Sequence, residues 1–359
     1  MAGKRKKQTG KKLPWWVVLL LVLAAVFAVQ YLGDKTEEQP AQPSQVQKAP
    51  SGETLTVRFL DVGQGDSILL SCGDDTMLID GGPVEEGQFL VSRLNRLDVT
   101  ELTYVVNTHP DEDHCGGLAA VLAKYPAEHV YSSVTEYTTK AFSNVVKYAD
   151  EQGHPVEVPQ TGDSWTLGSA SVQVIGPVQT YSDPNNGSLV LRVDYGGTSL
   201  LFTGDMEQNA EADLMDSGAN VRADVLKVGH HGSPTSSSEA FLEAVAPSIA
   251  VISVGKDNDY GHPSADVLAR LEALGTTIYR TDTQGEIIIT SDGQTLTVTT
   301  DPTSREPAAG KDAPFIGNRN SMIVHSANCA KLPGEDNRVY FNTAEEAEEY
   351  GYQKHTCIK

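Results

Sequence analysis

The sequence HPDEDH, residues 109–114, contains two histidines and three carboxylates in six positions. Imidazole nitrogens and carboxylate oxygens are ligands that divalent metal ions take in proteins. Alternate side chains of an extended segment point the same way, so we expect His109 and Asp111 to face one ion and Asp113 and His114 another. An acidic surface loop is the alternative, but such a loop has no need for two histidines.

Other candidate ligands follow predicted strands, as expected when loops at one edge of a sheet build a site. The predicted strands Leu102–Asn107, Ser199–Thr203, Ala223–Val228 and Ile249–Val254 precede, in turn, His109, Asp205, the pair His230 and His231, and His262. Strands are also predicted at Leu55–Leu60, Ser67–Leu70, Thr76–Ile79 and Ser188–Val193, and a helix is predicted at Gln88–Leu97. This alternation predicts an α/β domain with a metal site at one sheet edge.

The first residues and the rest of the chain carry opposite charge. The formal net charge is −21, yet the first twelve residues hold six of the 27 basic residues and no acid, which leaves 21 basic against 48 acidic residues. An acidic body disfavours broad binding to a phosphate backbone. Bound divalent cations can still reverse the field locally and admit an anionic substrate.

Residues 15–32, WWVVLLLVLAAVFAVQYL, predict one transmembrane helix. Gln30 is the one strongly polar residue in this segment of eighteen, which is just long enough to cross a bilayer. The basic residues 1–14 should remain cytoplasmic, which places the acidic body outside the cell. A cleaved signal peptide, with Val26 and Ala28 before the cut, is the first alternative and also exports the body; a buried soluble helix is the second.

Two linkers divide the remainder of the chain. Residues 33–53 are rich in Gln, Pro, Glu and Ser without apolar periodicity, which predicts a disordered spacer. Residues 301–313, DPTSREPAAGKDA, form a second break. We therefore expect one domain at residues 54–300 and a small C-terminal module at residues 314–359.

An ordered set of motifs resembles the metallo-β-lactamase superfamily: FLDVGQGDS, LIDGG, THPDEDHCGG, LLFTGD, VLKVGHHGS and YGHPS. Within it, the match is closest to the extracellular nuclease-like domain of ComEC-type competence proteins and their stand-alone relatives. The resemblance covers about residues 54–300. It implies a metal-dependent hydrolase built as an αββα sandwich, with two divalent metal ions at one edge.

The resemblance also assigns the site residue by residue. It implies that the metal ligands are His109, Asp111, Asp113, His114, the bridging Asp205, and one of His230 and His231, of which we favour His231. Neighbouring residues at a strand end point to opposite sides, so the other histidine of the pair would support the site or contact substrate.

Four residues are assigned catalytic roles. Asp113 is both a ligand and the natural proton acceptor, and Asp80 in LIDGG orients the ligands from behind. Lys227 would neutralise an anionic substrate, and His262 is a weaker candidate for a ligand or substrate contact. The plainer alternatives are a turn aspartate for Asp80, a surface lysine for Lys227 and an uninvolved loop histidine for His262.

Two positions depart from the common superfamily pattern. Asp111 stands where a histidine is usual, and Asn185-Asn186-Gly187-Ser188 offers amides and a hydroxyl where a further histidine ligand is usual. ComEC-type sequences share both features. Oxygen-rich sites prefer manganese or magnesium over zinc, so we expect Mn²⁺, with Zn²⁺ as the alternative. The missing histidine also disfavours a β-lactamase.

The C-terminal module contains a second set of metal-type ligands. His325 and Cys329 form H-x₃-C, and His355 and Cys357 form H-x-C. Four such ligands can close a tetrahedral zinc site, and so small a module needs a staple of this kind to hold its fold. The module resembles Ada-like metal-binding modules appended to secreted nuclease-like proteins, although those more often end in C-x₂-C. A disulfide between Cys329 and Cys357, or no staple at all, are the alternatives.

The other two cysteines are expected to be structural. Cys72 and Cys115 are predicted to be a buried pair or free thiols, because the chain has no disulfide framework. Cys115 adjoins His114 and could reach a metal, but simple packing is the expectation.

These features together predict a membrane-anchored extracellular metal-dependent hydrolase of a phosphodiester, with DNA as the first candidate substrate and no protein partner. A nucleotide or phosphorylcholine-like phosphodiester is the alternative within this class. A non-catalytic binding or sensing protein on the same fold is the alternative outside it. The retained ligands disfavour that reading, because a non-catalytic site has no physical need for them.

Overall fold

The computed structural model describes residues 52–305 and 313–358. The basic N terminus, the predicted anchor, most of the first predicted linker and the middle of the second lie outside these residues. Within the described ranges, no helix combines the length and apolar character needed to cross a membrane. The anchor at residues 15–32 therefore stays a prediction.

The described residues form strands and helices in alternation. The strands are β1 (Leu55–Phe59), β2 (Ile68–Cys72), β3 (Asp75–Ile79), β4 (Leu102–Asn107), β5 (Ala127–Ser132), β6 (Ser164–Leu167), β7 (Ala170–Gly176), β8 (Val190–Tyr195), β9 (Thr198–Phe202), β10 (Val225–Lys227), β11 (Ile249–Ile252), β12 (Thr277–Arg280), β13 (Glu286–Ser291), β14 (Leu296–Asp301), β15 (Phe315–Asn318), β16 (Ile323–Ser326), β17 (Arg338–Phe341) and β18 (Gln353–Lys354). The α-helices are Gly87–Arg96, Glu112–Cys115, Leu118–Lys124, Lys140–Gln152, Gln208–Asp216, Glu239–Val245, Ala265–Ala273, Thr281–Gln284 and Ala344–Glu349. Short 3₁₀ helices are Val84–Glu86, Gly229–Gly232 and Glu335–Asn337.

Two seven-stranded sheets form the body. Their orders are β14-β13-β1-β2-β3-β4-β5 and β12-β11-β10-β9-β8-β7-β6. Strands β3, β4 and β5 run parallel in the first sheet, and β9 to β12 run parallel in the second. Because the carboxyl ends of parallel strands meet at one edge, the loops that follow them converge there.

The inner faces of the two sheets pack on each other. In β1, the buried residues Leu55, Val57 and Phe59 alternate with half-exposed ones, which is the period of a strand with one buried face. The ring of Phe59 meets that of Phe202 on β9, with 6.2 Å between centroids. The central core therefore lies between the sheets.

Helices cover both outer faces. Gly87–Arg96, Leu118–Lys124 and Lys140–Gln152 pack on the first sheet, and Gln208–Asp216, Glu239–Val245 and Ala265–Ala273 pack on the second. These four layers confirm the predicted αββα sandwich.

The helix Lys140–Gln152 shows how local sequence sets an outer layer. Its buried residues include Phe142, Val145 and Ala149, on one face at helical spacing. The Thr139 side chain accepts a hydrogen bond from the Phe142 N–H at the N-terminus, and Gly153 ends the helix with φ 81°.

The C-terminal residues form a separate four-stranded sheet, ordered β17-β15-β16-β18. The module packs on the helix Gly87–Arg96, where the Arg96 guanidinium lies 3.8 Å from the centroid of the Tyr350 ring. At the end of the preceding segment, Arg305 bonds both carboxylate oxygens of Glu86 at 2.7 Å. The Arg96–Tyr350 contact joins the module to the first outer layer, and the Arg305–Glu86 pair holds the start of the linker there.

Candidate metal centre

Asp80, which follows β3, holds the loop that carries the first candidate ligands. Its buried carboxylate accepts hydrogen bonds from the Thr108 amide at 2.7 Å, the Thr108 hydroxyl at 2.6 Å and the Asn107 side-chain amide at 3.1 Å. Its Oδ2 also lies 2.9 Å from His114 Nδ1. Contacts of this kind orient metal ligands from behind, and this is the place that the resemblance implies for Asp80.

Three buried histidines direct Nε2 towards one region. His231 Nδ1 lies 2.8 Å from the carbonyl oxygen of Ser253, which can only accept, so Nδ1 carries a proton. His114 Nδ1 faces the carboxylate just described. His109 Nδ1 lies 3.1 Å from the Thr108 hydroxyl, whose own proton goes to that carboxylate. Nε2 is therefore the nitrogen that each ring offers to a metal.

These nitrogens meet two carboxylates. His114 Nε2 lies 3.2 Å from Asp205 Oδ1 and 3.3 Å from His231 Nε2. His231 Nε2 lies 3.3 Å from Asp113 Oδ2 and 3.4 Å from Asp205 Oδ2. One ligand atom from each of Asp113, His114, Asp205 and His231 lies within 4.8 Å of the others. The group has the composition and size to hold one divalent ion.

His109 and Asp111 form the other side of the centre. His109 Nε2 lies 3.8 Å from Asp111 Oδ2, and the His109 and His114 ring centroids are 4.1 Å apart. Within the described residues, the buried Nε2 of His109 has no hydrogen-bond partner. A buried polar atom without a partner is costly, and a metal ion would satisfy it. His109 and Asp111 are therefore candidate ligands of a second ion.

Crowded carboxylates dominate the electrostatics. Burial opposes a charge on His114, but Asp205 and Asp80 outweigh it and raise the pKa of His114 well above the usual value. Burial, with the charge of His114, lowers the pKa of His109 to about 3. Burial acts against ionisation of Asp205, yet His114 and His231 hold its pKa well below the usual value. Protons on His114 and His231 therefore offset the carboxylate charge in the metal-free protein, and metal ions that bind would displace them.

His230 and His262 lie on the open side of the centre. A cleft of about 200 Å³ is lined by Gln64, Asp111, Asp113, Asn185, Asp205, His230, His231, Tyr260 and His262. His230 Nδ1 lies 3.3 Å from Glu207 Oε1, and its Nε2 lies 3.7 Å from Asp205 Oδ2. The His262 ring is 5.6 Å from the His230 ring. Both histidines are placed to contact a substrate, whereas His231 lies inside the ligand cluster.

The sequence suggested that the histidine pair lies at the end of a strand, but the structure places it in a turn. Strand β10 ends at Lys227, and His230 and His231 lie in the 3₁₀ turn Gly229–Gly232 with φ of 48° and 53°. Left-handed backbone at non-glycine residues costs about 1–3 kcal/mol each and persists where surrounding contacts enforce it. The turn separates the two rings, whose planes lie at 70°.

The structure contradicts the predicted substrate contact of Lys227. Lys227 is 1% exposed, and its Nζ lies 2.7 Å from Asp66 Oδ2 and donates to the Val228 carbonyl at 2.8 Å. It does not line the cleft. Its charge is already paired inside the protein, so it cannot neutralise a bound anion by contact.

Asp66 is a site residue that the sequence analysis did not single out. Its Oδ1 lies 3.5 Å from His231 Nδ1, and its amide donates to the Asp113 carbonyl at 3.2 Å. At Gly65, φ is +140°, and a Cβ would lie 2.2 Å from the Asp113 carbonyl oxygen. The signal was the motif FLDVGQGDS, whose second GQG glycine permits this close approach.

Ser188 lies in the region where a superfamily histidine is usual. Its hydroxyl accepts a hydrogen bond from the Asp205 amide at 3.1 Å and lies 3.4 Å from His109 Nδ1. It thus supports two candidate ligands from behind, while Asn185 of the same segment lines the cleft.

The C-terminal ligands also come together. His325, Cys329, His355 and Cys357 each place a ligand atom within 4.8 Å of the others. His325 Nδ1 lies 3.4 Å from Cys329 Sγ, which lies 3.7 Å from His355 Nδ1. Two nitrogens and two sulfurs at this spacing suit a tetrahedral zinc ion.

All four cysteines are free thiols in the structure. Cys72 and Cys115 are buried in different hydrophobic clusters, and Cys115 Sγ donates to the Pro110 carbonyl at 3.3 Å. Burial, with the Asp80 charge, raises the pKa of Cys115 to about 12. Cys115 therefore packs as a neutral thiol.

The sequence profile of the Metallo-beta-lactamase superfamily matches residues 60–256. The chain belongs to this superfamily and is a metal-dependent hydrolase of its fold, which confirms the predicted enzyme class.

Named relatives show which proteins this chain resembles in sequence. ComE operon protein 3 of Bacillus subtilis is 32% identical over 250 residues, covering 64% of this chain and 32% of that protein. Competence protein ComA of Neisseria gonorrhoeae is 36% identical over 234 residues, covering 64% and 31%. Recombination protein 2 of Haemophilus influenzae is 32% identical over 248 residues, covering 67% and 29%. The chain thus resembles competence proteins, as predicted, and spans about a third of their length.

The Asp66–Lys227 pair can be tested through stability. Asp66→Asn leaves a buried ammonium uncompensated, so we expect the free energy of unfolding of the metal-free protein to fall by about 3–5 kcal/mol in urea denaturation. Adding Lys227→Met should recover much of this loss. Glu151→Gln, which breaks the exposed Lys147–Glu151 pair, is the matched control and should cost less than about 1 kcal/mol. A similarly small loss for Asp66→Asn would contradict the role given to the pair.

The C-terminal cluster can be tested by thiol and metal counts. We expect four titratable thiols in the chelated, denatured and unreduced protein, because all four cysteines are free. Cys329→Ser should lower bound zinc, measured by mass spectrometry of the metals, by about one ion per chain, whereas Cys72→Ala should not. Two titratable thiols would instead indicate the Cys329–Cys357 disulfide.

Proposed function

We propose that this protein is a membrane-anchored extracellular phosphodiesterase that cleaves DNA with two divalent ions, Mn²⁺ or Zn²⁺. The observation that carries the proposal is the oxygen-rich ligand cluster at the sheet edge, open to a cleft. Asp111, Asp113 and Asp205 contribute carboxylates beside His109, His114 and His231. Hard oxygen ligands favour Mn²⁺ over Zn²⁺, the reverse of the nitrogen and sulfur set in the C-terminal module, for which we propose a structural zinc ion.

The cleft needs metal ions to accept an anion. Among the described residues that line it, none is lysine or arginine, and three are aspartates. When bound, the divalent ions would activate a water molecule as nucleophile and stabilise charge that develops on the phosphoryl oxygens. The carboxylates alone would repel a phosphodiester, so substrate binding should require the loaded protein.

The side chains divide the remaining work. Asp113 is 37% exposed at its side chain, so its carboxylate can reach the nucleophile and accept its proton. His230 is held by Glu207 and can donate to the substrate from the cleft. Asp80 and the Ser253 carbonyl keep the His114 and His231 rings in the tautomer and orientation that the site requires.

DNA is the first candidate substrate because the named relatives of this chain include competence proteins. The acidic body, with 48 acidic residues in the chain, disfavours a long phosphate-tracking surface. We therefore propose cleavage of segments that reach the cleft individually rather than processive action on a duplex.

The proposed location follows from residues 1–32. The apolar segment Trp15–Leu32 would anchor the protein, and the basic residues before it would hold the N terminus in the cytoplasm.

Asp113→Ala tests the proposed chemistry. The full chain, purified in detergent, stripped and reloaded with Mn²⁺ or Zn²⁺, should hydrolyse bis-p-nitrophenyl phosphate and single-stranded DNA. Asp113→Ala should lower kcat by about 10²–10⁴ because it removes a proton acceptor and a ligand. Glu112→Ala, which removes an exposed carboxylate one residue away, is the matched control and should retain activity. Equal activity of the two variants would overturn the proposed phosphodiesterase activity.

Membrane anchoring is tested separately. The full chain should stay in the membrane fraction after an alkaline carbonate wash, and protease added outside intact cells should digest its body. Leu21→Asp combined with Leu23→Asp should release it, since charged residues at a helix centre oppose insertion. A body protected from external protease would contradict the proposed orientation, and an intact mass lacking residues 1–28 would show cleavage.

A further inference from the structure

A second groove adjoins the metal cleft. The groove has a volume of about 530 Å³. Its lining includes Pro110, which lies between the candidate ligands His109 and Asp111 in the sequence. Its lining also includes Asp183, whose Oδ1 accepts a hydrogen bond from the Asn185 amide at 2.9 Å. Asn185 lines the metal cleft. Lining residues of the groove are therefore neighbours, along the chain or through a hydrogen bond, of residues that line the metal cleft.

The lining of this groove is mostly uncharged and partly aromatic. Tyr137, Tyr181, Val134 and Val158 contribute apolar surface, and Gln160 and Gln179 contribute amides. Asp183 is the one charged residue among the lining residues, and none of them is basic. Such a groove offers no cationic side chain to a phosphate, and it suits a flat, uncharged group with hydrogen-bonding edges.

Tyr137 presents a fixed ring to the groove. The Phe142 ring packs edge-on against it, with 6.4 Å between centroids and 84° between planes. Phe142 is fully buried in the helix Lys140–Gln152, so it holds the tyrosine from behind. Burial, together with the charges of Asp111 and Asp183, raises the pKa of Tyr137, so the phenol stays neutral near the metal centre.

The other wall is also held in place. Thr161 Oγ1 donates to the Pro177 carbonyl at 2.6 Å, which joins the two segments that line the groove. The Tyr181 hydroxyl and the Gln179 side-chain amide both donate to Asp213 Oδ2, at 2.8 Å and 2.6 Å. A groove with anchored walls loses little entropy when a ligand binds.

We infer that this groove is a nucleobase subsite in which an unpaired base next to the scissile phosphate stacks on Tyr137. The inference rests on the proposed function and adds the substrate class, which is a single-stranded nucleic acid or a nucleotide ester. Base faces are available for stacking only when the base is unpaired, and stacking on an aromatic ring tolerates any base. The metal ions would hold the phosphate while the groove holds the base, so no basic track is needed.

Two esters with the same leaving group test this inference. The loaded full chain is assayed with thymidine 5′-phosphate p-nitrophenyl ester and with methyl p-nitrophenyl phosphate, which has no base. Tyr137→Ala should raise KM for the thymidine ester about tenfold or more and leave KM for the methyl ester unchanged. Tyr137→Phe keeps the ring and should behave as the wild type with both esters.

Equal KM changes for the two esters, or no change for either, would overturn the base subsite while leaving the phosphodiesterase intact. Hydrolysis of neither ester by the wild type would overturn the proposed function. In that case calorimetry of a thymidine dinucleotide with the metal-loaded full chain, which does not hydrolyse it, decides on the groove. Binding lost in Tyr137→Ala and kept in Tyr137→Phe would support the subsite, and absent or unchanged binding would overturn it.

Discussion

The buried carboxylate of Asp80 is the contact on which the candidate centre depends. It lies behind the loop after β4 and accepts from the Thr108 amide and hydroxyl, while its Oδ2 also meets His114 Nδ1. The Thr108 oxygen is thereby left to accept from His109. One carboxylate thus sets the tautomers of two rings, and both offer Nε2 to the same region. The backbone of Asp80 has a φ of 57°, so the fold accepts local strain to keep this carboxylate in place.

Asp66, which lies between β1 and β2 of the first sheet, and Lys227, at the end of β10 in the second, also support the centre. The buried ammonium balances a carboxylate that would otherwise add to an already crowded set of negative charges. Asp66 also joins the loop of Asp113 through its backbone amide and lies beside His231 through its side chain. The pair therefore ties a residue of β10 in one sheet to loops that follow strands of the other. This contact between the sheets explains why the ligands from distant parts of the chain keep one geometry.

The sequence was sufficient for features that depend on local periodicity or on ordered motifs. The predicted strands Leu55–Leu60 and Leu102–Asn107 are present in the structure at Leu55–Phe59 and Leu102–Asn107. The sequence was not sufficient where the role of a side chain depends on a partner that is distant along the chain. Lys227 looked like a substrate contact because a lysine beside a histidine pair is compatible with either role, and only the position of Asp66 decides between them. Likewise, the backbone at the histidine pair is left-handed rather than extended, and the local sequence does not predict this turn.

The charged side chains lie in the metal cleft, whereas the adjoining groove is mostly uncharged. This division limits the substrates that we propose for the protein. Carboxylates fill the metal cleft, so attraction for a phosphate exists only where cations sit and vanishes within a short distance of them. The adjoining groove contributes surface and amide groups but no positive charge. For the substrate that we propose, affinity would then come from one phosphate and the group next to it, rather than from many phosphates along a backbone. A long duplex gains little from such a surface, whereas a flexible strand can place one phosphate and one base together. The acidic body of the protein is thus compatible with action on a polyanion, provided that the polyanion is met one residue at a time.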